Sequence, residues 1–155
     1  MRWQEGRPCR LGPIDADLIA LRNRTYAAFV ELGRAPLPSE IGDEHHVITG
    51  WRLLHDAHAL VLEPDGNAIR MANPFSAVAT PYRVLAQGRW WYANCAWDAF
   101  GICAALGVDG RVESACPDCD EPYAVEVRGA RIDRPELLFH LLVPAARWWD
   151  DIVFT

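Results

Sequence analysis

Residues 89–106 read Arg-Trp-Trp-Tyr-Ala-Asn-Cys-Ala-Trp-Asp-Ala-Phe-Gly-Ile-Cys-Ala-Ala-Leu. The first five are rich in aromatics and strand-like. Asn94 turns the chain, and the run after it has the composition of a short buried helix. A strand leading straight into an apolar helix predicts a sheet with a helix packed on it, an α+β arrangement. Cys95 falls where the helix begins. Asp98, three residues later, lies on the same face of the first turn.

A cysteine at a helix start meets unpaired N–H groups and the positive end of the helix dipole, which favour thiolate. A carboxylate one turn away opposes this, because two negative charges in a dry site repel. The expected result is a thiol and a carboxyl sharing a proton and titrating as a pair: a soft nucleophile beside a proton donor. The spacing alone equally admits a buried structural cysteine near a helix-capping aspartate.

Composition narrows the field. The chain's 155 residues suit one compact domain, or a small domain tied to a larger one. Its apolar fraction of 51% supports a real core, which excludes a disordered chain. A net charge of −6 disfavours a nucleic-acid backbone as partner. No run approaches the ~20 apolar residues of a membrane helix. The N-terminus, Met-Arg-Trp-Gln-Glu-Gly-Arg-Pro, lacks the apolar run of a secretory signal. Together these predict a cytoplasmic protein with neither nucleic acid nor membrane as partner. The five cysteines, Cys9, Cys95, Cys103, Cys116 and Cys119, are odd in number and unevenly spaced. They read as thiols in a reducing compartment.

Outward from the central stretch, residues 1–13 form an irregular lead-in. Asp15 is a candidate cap for a helix reaching Gly33, with Leu18, Leu21, Phe29 and Leu32 on its apolar stripe. Ser39–Ile41 predicts a very short second helix, and Asp43 caps a third that reaches toward His58. Residues 59–63 and 68–71 predict a hairpin turning at Asp65-Gly66. Three helices and a hairpin are the order of a winged-helix unit. Its third helix, with Asp43, Glu44 and Asp56 against Arg52, is a poor surface for phosphates. The character changes at Asn73, dividing the chain into a winged-helix-like region, 1–72, and an α+β region, 73–155, built on a mixed sheet. Strands are predicted near 82–86, 111–115 and 123–128. Leu137–Val143 reads as a strand buried on both faces, followed by a helical turn from Pro144 and a strand from Ile152.

Other motifs are weaker. Cys116-Pro-Asp-Cys119 is half of a zinc knuckle or a redox pair, or a plain tight turn; structural zinc needs four ligands. His45, His46, His55 and His58 on the third helix read as surface or packing residues. Trp90, Trp91, Trp97, Trp148 and Trp149 read as core.

Four segments in order carry a resemblance: Asn73-Pro-Phe-Ser-Ala-Val, Trp91-Tyr-Ala-Asn-Cys-Ala-Trp-Asp-Ala, Glu113-Ser-Ala-Cys-Pro-Asp-Cys, and Leu141-Leu-Val-Pro with Trp148-Trp-Asp-Asp-Ile-Val-Phe-Thr. Together they resemble the alkylmercury (organomercurial) lyase family, from Asn73 to Thr155. The resemblance implies cleavage of R–Hg⁺ to RH and Hg²⁺ in the cytoplasm, a mercury-resistance activity needing no cofactor. The substrate is a small organomercurial, and a mercuric reductase or cellular thiols take the Hg²⁺. Cys95 matches the family's first catalytic cysteine, which attacks mercury. Asp98 matches the aspartate that delivers a proton to carbon. Cys116 matches a cysteine the family treats as structural. The family's second catalytic cysteine lies on the strand after Trp-Trp-Asp-Asp. Here that strand reads Ile152-Val-Phe-Thr, without a cysteine, so the position falls at or just past Thr155. Cys103, two helical turns from Cys95, and Cys119 are the candidate substitutes, and Cys116 with Cys119 is a candidate metal pair. The alternative expectation is a lyase-like domain, weakened or inactive in catalysis, that binds mercury or another soft metal.

Overall fold

A computed structural model describes residues 15–139, 141 and 143–153. The lead-in, with Cys9, and Phe154–Thr155 at the end of the last predicted strand lie outside them. The chain divides into two compact units between Arg70 and Met71.

The first unit opens with three helices: α1 (Ala16–Leu32), α2 (Pro38–Ile41) and α3 (Glu44–Asp56). Each boundary has a local cause. The Asp15 carboxylate accepts the Leu18 N–H at 2.8 Å and starts α1. Gly33 ends it in the left-handed conformation, φ 71°. Asp43 caps α3 by accepting the His46 N–H at 2.9 Å. Leu21, Phe29, Val47, Trp51 and Leu54 form the buried core of the helices. Trp51 is wholly buried, and its indole N–H donates to Thr25 Oγ1 at 2.9 Å. The Thr25 hydroxyl donates in turn to the Leu21 carbonyl, so neither polar group is stranded. The predicted hairpin follows as β1 (Val61–Leu62) and β2 (Ile69–Ala72). Asp65 braces its turn by accepting the Asn67 N–H at 3.0 Å.

The second unit begins within β2. It adds β3 (Phe75–Ser76), β4 (Arg83–Ala86), β5 (Arg89–Ala93), α4 (Ala96–Leu106), β6 (Gly110–Ala115), β7 (Pro122–Arg128) and β8 (Arg131–Ile132). Strand order from β2 onward is β2-β3-β5-β4-β6-β7-β8, and every described pair is antiparallel. The sequence suggested a mixed sheet. The crossover through α4 does join two strands that point the same way, β5 and β6. But β4 lies between them and pairs antiparallel with both, so no parallel ladder forms. The β4–β5 link is a two-residue turn with both φ values positive, Gln87 (53°) and Gly88 (73°), the geometry of a tight hairpin.

Register explains the core. Val84 pairs with Trp91 and with Val112, and Val112 with Val125. All four are buried on one face of the sheet, and α4 packs against β4, β5 and β6. Ala99, Ile102 and Cys103 are the buried side of α4. The helix passes close enough to Pro74 that a Cβ on Gly101 would come within 3.1 Å of the proline ring.

Two expectations fail in this unit. Leu137, Leu138, Phe139 and Leu141 are exposed and take no strand conformation; Leu138 is 94% exposed. An apolar run becomes a buried strand only where a neighbouring strand offers a ladder, and no described strand pairs with these residues. Ile152 and Val153 lie in a turn after a 3₁₀ helix, Ala145–Asp150, rather than in a strand. The tryptophans also divide. Trp91 is core, Trp148 and Trp149 are half-buried, and Trp90 and Trp97 are 44% and 61% exposed. Trp90 instead lies under the Arg83 guanidinium, 4.4 Å from its ring centroid.

Candidate active site

Cys95 is the N-cap of α4. Its backbone is extended (φ −151°, ψ 179°), and its sulfur accepts the Asp98 N–H at 3.5 Å. A thiol thus occupies the place usually held by Ser, Thr, Asp or Asn. The strand β5 delivers it: Trp91 and Ala93 bury on the α4 side, and the chain turns at Asn94 as it leaves the sheet.

Cys95 and Asp98 are both half-buried. Burial pushes the Cys95 thiol above its ordinary range. The N–H groups of Asp98 and Trp97 pull it down, and the Asp98 charge pushes it up again. Burial likewise raises the Asp98 carboxyl, against a hydrogen bond from Asn94. The balance differs from the thiolate that the helix dipole alone would favour. Desolvation outweighs the N–H groups, and both residues are held toward their protonated forms.

Asn94 went unnoticed in the sequence as a site residue. Its side-chain amide donates to Asp98 Oδ2 at 3.0 Å, to Asn73 Oδ1 at 3.1 Å and to the Phe75 carbonyl at 3.4 Å. It ties the Asp98 carboxyl to the β2–β3 turn. Its Oδ1 is buried without a partner among the described residues. Tyr82 is a second residue the sequence did not single out. Burial raises its phenol, and it feels the charges of Tyr123 and Cys95. It immediately precedes β4, and its carbonyl accepts the Ala93 N–H at 3.0 Å, at the end of the sheet where Cys95 sits.

The remaining predicted cysteines are placed apart. Cys103 is buried against β6, where a Cβ on Gly110 would lie 2.6 Å from its sulfur. Eight residues along the helix put it roughly 12 Å from Cys95 along the axis. Cys116 and Cys119 bracket the β6–β7 turn. The Cys116 sulfur accepts the N–H groups of Asp118 and Cys119 and interacts with the Cys119 thiol, which together lower its pKa. Of the histidines, His45, His46 and His58 are exposed, and His55 accepts the Leu62 N–H at 3.3 Å. No cluster of three or more His, Cys, Asp or Glu able to hold a metal occurs among the described residues. An open cleft of about 470 Å³ lies along β4, β6 and β7, lined by Arg83, Arg111, Glu113, Ser114 and Tyr123.

Residues 75–155, more than half of the chain, match the family model described as "MerB: Alkylmercury lyase". The chain belongs to the alkylmercury lyase family. The matched segment holds Cys95, Asp98 and the Cys116–Cys119 turn. The crystal structure of the mercury-bound form of MerB2 aligns with a TM-score of 0.61 at 23% identity, over 79% of this chain and 60% of that one. At that identity the likeness is one of fold, and this chain spans 60% of that protein's chain, less than two thirds of it. No curated protein matches this sequence. None of its described helices is long and apolar enough to cross a membrane.

Proposed function

We propose that the protein is an organomercurial lyase that cleaves the carbon–mercury bond of R–Hg⁺ by protonolysis, with Cys95 as nucleophilic ligand and Asp98 as acid. One observation carries the reading. A thiol and a carboxyl share the first turn of α4, joined by the Asp98 N–H to Cys95 sulfur contact, and burial favours the proton on each. Mercury is soft and binds sulfur far better than oxygen donors. R–Hg⁺ therefore replaces the Cys95 proton and forms a Cys95–S–Hg–R adduct, with H⁺ leaving to water. Sulfur donation loads electron density onto the metal and its carbon. Asp98, still protonated, gives its proton to that carbon; the Hg–C bond breaks, RH departs, and Hg²⁺ remains on sulfur beside the new carboxylate. Thiols in the medium, or a mercuric reductase, take the ion, and Asp98 regains a proton from water.

Asn94 positions this acid. Its amide favours the carboxylate, which offsets part of the burial and lets the proton leave. The experiment is incubation of the purified chain with methylmercury and excess monothiol, with headspace methane as the readout. Catalytic methane that disappears in Cys95→Ser supports the lyase. Stoichiometric mercury uptake without methane overturns it in favour of a lyase-like domain that only binds the metal.

A further inference from the structure

β5 and β6 both pair antiparallel with β4, so their C-terminal ends lie at one end of the sheet, two strand spacings apart. That is roughly 10 Å. Cys95 follows β5 there, and Cys116 follows β6. Continuing the Arg83↔Glu113 register sets Tyr82 opposite Ser114, and Ser114 pairs with Tyr123. Tyr82 and Ser114 thus bridge the two cysteine ends, and the Ser114 hydroxyl is buried without a partner among the described residues.

The β6–β7 turn is built like a metal knuckle. The Cys116 N–H donates to the Glu121 carbonyl at 2.9 Å, and the Asp120 N–H donates to the Cys116 carbonyl at 2.9 Å. Asp120 takes a positive φ of 58°, which reverses the chain directly after Cys119. The two cysteines therefore stand at the two ends of one tight, hydrogen-bonded turn. Cys116 is half-buried and Cys119 exposed, so one sulfur is anchored and the other reachable. Among the described residues no group of three or more metal-ligating side chains includes these two sulfurs, so the turn offers a pair of thiolates. It suits a soft ion content with two thiolates.

We infer that Cys116 and Cys119 form a second soft-metal site, a two-thiolate chelate for Hg²⁺ distinct from Cys95 that receives the ion released there. The exchange balances: Cys95–S–Hg⁺ and two thiols give the bis-thiolate complex, the Cys95 thiol and one proton. The choice of ion rests on the lyase reading, but the site is tested without it. The full chain, reduced, is loaded with HgCl₂ and dialysed against a monothiol, and bound mercury and the thiolate-to-mercury ultraviolet band are measured. Cys95→Ser retains one Hg²⁺ per chain. Adding Cys119→Ser, an exposed substitution whose fold is checked by circular dichroism, weakens retention at least ~10-fold, because an intramolecular second thiol acts at high effective concentration. Cys95→Ser with Cys116→Ser loses it likewise. Equal retention by Cys95→Ser with and without Cys119→Ser overturns the proposal. A Cys95→Ser chain that holds no mercury at all overturns it too, and neither outcome depends on methane formation.

Discussion

The backbone N–H of Asp98 points at the sulfur of Cys95, so one residue contributes two opposed groups to the same thiol. Its amide stabilises the thiolate, and its carboxylate charge disfavours it. Substitution at 98 that keeps the backbone separates the two effects.

Asp98→Asn leaves the N–H in place and removes the acid. Mercury capture at Cys95 survives, while carbon–mercury cleavage falls by about 10²–10⁴-fold, the usual worth of a positioned proton donor. Single-turnover methane release against mercury bound per chain makes the comparison. A variant that cleaves at the parent rate removes Asp98 from the mechanism.

The same variant has a pH signature. Burial raises the Cys95 thiol most, and the Asp98 charge raises it further. The midpoint of Cys95 alkylation by iodoacetamide accordingly lies above that of a free thiol. In Asp98→Asn it moves down but stays above, since desolvation remains. The carboxyl also tunes stability. Its folded pKa is raised above the ordinary 3.8, so its favourable contribution is complete below 3.8 and is lost as pH rises through the folded value. Asp98→Asn therefore melts higher than the parent at neutral pH, and the gap closes below pH 3.8. An unchanged gap across that window contradicts the assignment.

How much of this could be read in advance depends on the range of each contact. Cys95 at the start of α4 was legible because a strand pattern and a helix pattern meet there, and Asp98 followed from the three-residue spacing. The caps Asp15, Asp43 and Gly33 were legible for the same local reason. The role of Asn94 was not, because its partners Asn73 and Phe75 come from another turn of the chain. Tyr82 became visible only in the fold, where its carbonyl accepts the Ala93 N–H two residues before Cys95. β3 and β8 are two residues each, too short for a period. Leu137–Val143 misled for the opposite reason: apolar continuity is a local signal, but a strand needs a neighbour. Phe139 packs instead edge-on against Trp97 and Phe100, at ring-centroid distances of 6.0 and 5.5 Å.

In the first unit, stability hinges on the pair Trp51 and Thr25. Thr25→Val preserves shape but leaves the buried indole N–H without an acceptor. Chemical denaturation registers a loss of about 1–3 kcal/mol, the cost of a stranded donor. Combined with Trp51→Phe, which removes the donor, it loses less than the sum of the two single variants; a double variant as unstable as that sum shows the bond contributes little.

Gly110 tests how tightly α4 is held on the sheet that presents Cys95. A methyl group there would lie 2.6 Å from the Cys103 sulfur and 2.9 Å from the Leu85 carbonyl oxygen. Cys103 can turn aside, but the carbonyl belongs to β4, which is fixed by ladders on both sides. Gly110→Ala therefore destabilises by about 1–3 kcal/mol, as overpacking does. Cys103→Ala in the same chain relieves only the sulfur contact and restores less than half. Full rescue would place the whole clash on Cys103, and the separation of α4 from β6 would then be set by that side chain rather than by the backbone of β4.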